Sequence, residues 1–204
     1  MNKNIVLYYF IYYFIFIISS IYSYKYKIGE MYFIPIGFIT CFIVPILFKI
    51  IHLKMIIEFH IMNLLFVVFS IVFGSILNFY SWIYYDKILH FTSGLLFCSF
   101  AYILYSYFIT KNHSKVIPIL CLIFINAFNM MIAVFWEFYE YACLLFINND
   151  AIHHYDSGVH DSMQDMIVAF CGGLVVTIGL IRYYKTKKEN MLIRICGKFL
   201  QNNT

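Results

Sequence analysis

Ionisable side chains interrupt three of the long apolar runs in this chain, and the first interruption pairs a carboxylate with an imidazole. Asp86 and His90 lie four residues apart in YDKILHFTSG, so a helix places both on one face. A carboxylate at that spacing holds an imidazole in one tautomer and raises its basicity, which suits general acid–base chemistry. The same residues also fit a helix that begins at Asp86, with His90 reaching from the membrane interface into water.

A second interruption places two glutamates in WEFYEYA. Glu137 and Glu140 lie on one stripe of a helix that turns about 100° per residue. The other polar members of that stripe are Asn126 and Asn129. We therefore expect the stripe to face protein or water and not lipid. The alternative is that both glutamates are solvated beyond the membrane interface, with Trp136 as an interfacial anchor.

Two aspartates four residues apart begin the last apolar run, in HDSMQDM. Asp161 by itself is an ordinary acidic residue of a first helical turn, where the helix dipole stabilises it. Asp165 lies a full turn deeper, beside like charge, and its position requires another explanation. Gly172 continues the same face and permits close approach of a neighbouring helix.

Successive spans alternate in direction, so the three groups are expected at one depth of the membrane. Five carboxylates this close together cannot all stay ionised without a counter-charge. The counter-charge could be a divalent cation, His90 together with Lys87, or protons on some of the acids. Oxygen ligands with one imidazole suit Mg, Mn, Zn or Fe(II). The predicted site has His90 and Asp86 as catalytic residues and the following metal ligands: Glu137, Glu140, Asp161 and Asp165.

The link before the last run carries further histidines. His153 and His154 could add ligands or form part of a lid. Turns rich in Asn, Asp and His are common, however, and we favour an ordinary turn here.

Composition identifies the elements that must position these side chains as membrane-spanning helices. Of the 204 residues, 63% are hydrophobic and 12% are charged, about half the charged share of a soluble domain. A bilayer core requires roughly 20 apolar helical residues per crossing. Six runs qualify: Ile5–Ser23, Met31–Phe48, Ile61–Tyr80, Ile88–Ile109, Val116–Ile147 and Met163–Tyr184. The predicted fold is an all-α polytopic bundle over residues 1–185, followed by a basic cytoplasmic tail over residues 186–204.

The basic residues in the links predict the orientation of the bundle. Eleven of the 14 Lys and Arg residues fall on the side that holds both termini, which places that side in the cytoplasm. The acids and His90 then lie at the extracytoplasmic face of a cell membrane.

The first run could instead be a signal peptide ending near Ser19 and Ser20, whose removal would leave the other spans as they are. The six cysteines form no CxxC motif and none lies in a predicted outer loop, so we interpret them as packing residues.

The three motifs YDKILHFTSG, WEFYEYA and HDSMQDMIVAFCGG, in this order, resemble those of the YjdF-like family of uncharacterised bacterial membrane proteins. The resemblance covers about residues 60–185. The family often has Gly-Asp-x-Trp before the first Asp of the last motif, and this chain departs from it, since those places read Ser157-Gly158-Val159-His160 and the expected acid is missing. It implies that these positions are the family's characteristic ones: Asp86, His90, Gly94, Glu137, Glu140, Asp161 and Asp165. A weaker resemblance, through DK-x-x-HF, is to VanZ-like proteins. Neither resemblance implies an activity.

Three classes of function fit these residues. The first is a metal-dependent enzyme acting on a lipid or lipid-linked headgroup, with membrane lipids as partners and no nucleic acid. The second is an ion-coupled transporter, although carriers usually place their ionisable groups nearer the midplane. The third is a non-catalytic envelope or stress factor whose polar groups join helices. Motifs of CAAX-type proteases, lipid phosphatases, desaturases and phospholipid synthases are absent.

Overall fold

A computed structural model describes residues 3–29, 31–82, 84–150 and 154–204, and none of these residues forms a β-strand. The helices are α1 (Lys3–Tyr26), α2 (Phe33–Thr40), α3 (Ile43–Ile50), α4 (Ile57–Val67), a π-helix (Val68–Ile76), a 3₁₀ turn (Phe79–Ser81), α5 (Tyr85–Lys111), α6 (Pro118–Ile147), α7 (His154–Ser157), α8 (His160–Thr186) and α9 (Met191–Asn203). Six helical stretches are long and apolar enough to cross a membrane. The predicted all-α polytopic fold with six spans is therefore confirmed.

The described chain forms two compact units, with the boundary after Asp86. In the first unit, α1 packs against α2, α4 and the π-helix. The centre of its core is apolar and includes Tyr12, Phe16, Val72 and Ile76. Most remaining large side chains of α1, such as Phe10 and Phe14, point outward, as expected for a helix whose solvent is lipid.

The second span of the first unit is broken between α2 and α3, and Pro45 explains the break. Proline has no N–H group, so the carbonyl of Cys41 loses the donor that a continuous helix would supply. The side chain of Asn63 in α4 replaces that donor, with its Nδ2 at 2.7 Å from the Cys41 oxygen. An unsatisfied carbonyl in hydrocarbon costs several kcal/mol, so Asn63 stabilises the break.

The third span differs from its predicted limits because it continues from α4 into a π-helix and ends early. It runs from Ile57 to Ile76, whereas the apolar run predicts Ile61–Tyr80. Asn78 turns the chain with a left-handed backbone, at φ 60°. Gly29 packs closely on the last turn of the π-helix. A Cβ at this position would overlap the carbonyl oxygen of Ile76, so glycine is required.

The second unit contains three long helices, α5, α6 and α8, and α8 crosses α5 at very short range. A Cβ on Gly94 of α5 would overlap the carbonyl of Ala169, and a Cβ on Gly172 would overlap the carbonyl of Phe91. Gly173, the next residue along α8, lies against Asn129 of α6. Adjacent glycines of α8 thus permit two different helices to approach it closely.

The longest helix, α6, is unbroken over 30 residues, about 45 Å at the usual rise. Proline stands in its first turn and a left-handed Asn148 ends it, as is typical for a helix start and end. Its buried side chains form one stripe: Cys121, Ile125, Asn129, Ala133, Glu137, Glu140 and Leu144. The polar side chains of this helix therefore face the protein.

Residues 191–203, within the predicted basic tail, form the amphipathic helix α9. The side chain of Asn190 caps its first turn by accepting a hydrogen bond from the backbone N–H of Ile193 at 3.0 Å. Phe199 is buried and packs on Tyr107 of α5, with 6.1 Å between ring centroids. Burial also raises the pKa of the Cys196 thiol on the same face, which makes that thiol a packing group and not a nucleophile.

Candidate functional site

The first part of the candidate site comes from the start of α5. Asp86 lies in the first turn of this helix and is half-buried. His90 follows one turn later on the same face and is buried. The alternative in which His90 extends into water does not describe this fold, because the imidazole lies inside the second unit.

The two glutamates of α6 are buried as well, so they are not solvated groups beyond the interface. Glu140 accepts a hydrogen bond from the indole Nε1 of Trp136 at 2.8 Å. Sequence reasoning treated Trp136 only as an interfacial anchor. The sequence feature that predicts this hydrogen bond is the spacing of four residues, which brings an indole and a carboxylate together on one helix.

The aspartates of α8 differ in exposure and share one cation. Asp165 has no exposed side-chain surface, whereas Asp161 retains 15%. The ammonium of Lys87 lies 2.7 Å from Oδ1 of Asp165 and 2.9 Å from its Oδ2. The same ammonium donates a hydrogen bond to Oδ1 of Asp161. Lys87 is therefore the nearest counter-charge of both aspartates.

Three long helices bring one buried group each to a common point. A ring nitrogen of His90, a carboxylate oxygen of Glu137 and a carboxylate oxygen of Asp165 lie within 4.8 Å of one another. The Nε2 of His90 is 3.8 Å from Oδ1 of Asp165. We call these three residues the central triad. The predicted convergence of α5, α6 and α8 thus holds for these members.

The residue types of the central triad suit a transition-metal ion. Ligands of tetrahedral Zn²⁺ at about 2.1 Å are separated by about 3.4 Å from one another. The 3.8 Å between His90 and Asp165 would need to shorten by only a few tenths of an ångström. One imidazole with two carboxylates also occurs at Mn²⁺ and Fe(II) sites.

Charge around the central triad is unbalanced. Four acids (Glu137, Glu140, Asp161 and Asp165) and one lysine contribute to this end of the second unit. Full ionisation would leave a net charge of −3 with neutral His90. Buried charge of that size requires a cation or protons. The site is thus built to hold positive charge in some form.

The other residues that the sequence singled out are not members of the central triad. Asp86 is assigned to the first unit and lies one helical turn before His90. His154 belongs to the short helix α7 and is exposed. His153 lies outside the residues that the structure describes.

The central triad lies near one end of the three long helices. His90 is five residues into α5, and Asp165 is five residues into α8, about 8 Å along each axis. Helices of this length and composition with a buried acidic cluster define a polytopic membrane protein. The chain matches the family described as Predicted membrane protein (DUF2238) over residues 5–186 and belongs to that family. No curated protein and no solved structure matches it.

The family match shows that the chain belongs to a family of predicted membrane proteins, and it does not distinguish the YjdF-like from the VanZ-like resemblance. It also agrees with the predicted location in a membrane, which the six apolar helices require.

Proposed function

We propose that this protein is a metal-dependent enzyme that acts on the headgroup of a lipid or lipid-linked substrate at the extracytoplasmic face of a bacterial cytoplasmic membrane. The observation that carries the proposal is the central triad, in which three helices contribute buried ligand-type atoms within 4.8 Å. Interhelical hydrogen bonds contribute only about 0.6 kcal/mol each on average in membranes. Stability alone is therefore a weak reason for burying these acids.

The proposed chemistry follows from the residue types. A divalent cation held by Glu137 and Asp165 would polarise a phosphoryl or carbonyl oxygen of the headgroup. His90 would transfer the proton, with Asp86 one turn earlier on α5 orienting its ring. Glu140, fixed by Trp136, and Asp161 complete the ligand set that we propose.

The depth of the site supports a lipid headgroup as substrate. The central triad is only about 8 Å from the starts of α5 and α8, near the level of the interface and not of the midplane. The order of the three motifs also supports our proposal that the YjdF-like proteins, more than the VanZ-like proteins, are the nearer kin.

The direct test is the metal content of the protein purified in detergent, measured by mass spectrometry. We expect a divalent metal in the wild type and loss of most of it in Glu137→Gln and Asp165→Asn, because each change removes a charged ligand oxygen. Glu189→Gln and Asp156→Asn are matched controls, since both residues are exposed. They should retain the metal.

If the wild-type protein contains no metal, and neither ligand variant differs from it in metal content, the metal-dependent proposal is contradicted. Comparison of membrane lipids from cells with and without the protein tests the substrate class. An altered headgroup composition is expected, and it should be reproduced by His90→Ala. An unchanged lipid profile would argue against the lipid substrate.

One observation favours ion-coupled transport as a second candidate. The polar stripe of α6 continues toward the middle of the helix, where Asn126 donates a hydrogen bond to Thr177 at 2.8 Å and Asn129 donates to the carbonyl of Ala169 at 3.0 Å. A transporter requires polar groups along such a path. Ion flux in proteoliposomes that is abolished by Glu137→Gln would favour this function over an enzyme.

A further inference from the structure

One carboxylate of the candidate site faces both the Lys87 ammonium and the central triad. Oδ1 of Asp165 lies 2.7 Å from the Lys87 ammonium. The same oxygen lies 3.8 Å from Nε2 of His90, and Asp165 also contributes to the central triad. Lys87 therefore pairs with a carboxylate that would also be a ligand of a metal ion in the central triad.

Distances make the two uses antagonistic. A metal ion bonded to Oδ1 of Asp165 at about 2.1 Å would lie within about 5 Å of the ammonium. Two cations at that separation in a partly buried site repel each other strongly. The side chain of Lys87 is 21% exposed, so the ammonium has a route to water along its flexible stem. Metal binding must displace it or proceed against its charge.

We infer that Lys87 is a built-in competitor of the metal ion at the central triad. Its ammonium neutralises Asp165 and Asp161 in the metal-free protein, and it lowers the affinity of the site for divalent cations. The site then loads only when the free cation is abundant. This inference rests on the proposed function, and it specifies how metal loading of that site is regulated.

The asymmetry of charge in the second unit supports a specific role for this lysine. The eight other Lys and Arg residues of the unit are all exposed and belong to its opposite end: Lys111, Lys115, Arg182, Lys185, Lys187, Lys188, Arg194 and Lys198. Positive-inside topology accounts for those residues. It does not account for Lys87, which is partly buried against two aspartates.

The experiment compares two substitutions of similar size in the full-length protein in detergent. Lys87→Met removes the charge and keeps the length of the side chain, whereas Lys87→Arg keeps the charge. Mn²⁺ and Zn²⁺ are titrated separately into metal-stripped protein by calorimetry. We expect Lys87→Met to bind at least about tenfold more tightly than the wild type, and Lys87→Arg to differ by less than about threefold.

Thermal unfolding provides a second measurement. Without metal, Lys87→Met should unfold at a lower temperature than the wild type, because Asp165 loses its counter-charge. Saturating metal should restore most of the difference. A Lys87→Met protein that cannot be recovered in folded form even with metal would overturn the inference, because the ion would then not replace the ammonium.

The titration separates this inference from the proposed function. Equal or weaker binding by Lys87→Met, with a wild type that binds metal, overturns the competitor role and leaves the enzyme proposal standing. If Lys87→Met binds metal and the wild type does not, the result supports the competitor role of Lys87. It also overturns the proposal that the wild-type protein holds a metal ion. Absence of binding in both proteins overturns both.

Discussion

One side chain completes a hydrogen bond that the helical backbone of this protein leaves open. Asn63 supplies the donor that Pro45 removes from the Cys41 carbonyl. In a bilayer no water is available to replace such donors. The Asn63 amide is therefore a structural requirement at its position.

Asn63→Leu should lower the free energy of unfolding by about 1–3 kcal/mol, because it leaves the Cys41 carbonyl without its side-chain donor. Adding Pro45→Ala restores a backbone N–H one turn later, so the double variant should recover part of the loss. Thermal unfolding in detergent measures the difference.

Asn202→Leu is the matched control, since Asn202 is exposed and bonds only within its own helix. The control should unfold near the wild-type temperature. If Pro45→Ala changes the unfolding temperature equally in the wild type and in Asn63→Leu, the amide and the proline are not coupled. The explanation of the break is then wrong.

At the scale of helices, the crossing of α5 and α8 sets the geometry of the candidate site. Gly94 lies one turn after His90, and Ala169 lies one turn after Asp165. The two backbones meet at this point because Gly94 has no Cβ. The contact between Gly94 and Ala169 therefore determines how close His90 and Asp165 lie, although it involves neither residue.

We predict that Gly94→Ala separates the two helices. The added Cβ would overlap the Ala169 carbonyl, and overpacking of this kind costs about 1–3 kcal/mol. Gly179→Ala in α8 is the control, since its Cβ would meet only the Asn190 amide, at an ordinary 3.7 Å. It should be neutral or slightly stabilising.

Thermal unfolding and metal content should change together in the Gly94→Ala protein. If Gly94→Ala is as stable and as metal-replete as Gly179→Ala, the close crossing does not position the site.

At the scale of the whole molecule, charge predicts the orientation in the membrane. The links and the C-terminal segment that hold most of the basic residues should face the cytoplasm. The central triad, at the other end of the long helices of the second unit, should then face outward.

Reporter fusions test this orientation. Alkaline phosphatase fused after Asn149 should be active, because it would be exported, whereas fusions after Ser114 or Thr204 should be inactive. A fluorescent protein at the same three positions should give the reverse pattern. Activity of the phosphatase after Ser114 would reverse the topology and place the site in the cytoplasm.

Sequence patterns predicted the spans well where the apolar run and the helix coincide. The limits of α5, α6 and α8 differ from prediction by two or three residues at each changed end. The third span is four residues out of register. Hydropathy does not detect a π-helix or a left-handed turn at Asn78, because both depend on backbone geometry and not on side-chain polarity.

By itself, the sequence determined that the chain is a helical membrane protein and that the paired ionisable residues of three runs share a helical face, since these properties depend only on composition and spacing. Tertiary structure decided which of those residues meet. His90, Glu137 and Asp165 come from three different helices, and their separation depends on how closely those helices approach at Gly94, Gly172 and Gly173. It also decided that Lys87 is the cation bound to Asp161 and Asp165, because a long side chain can reach partners 74 and 78 residues away only after the helices have packed.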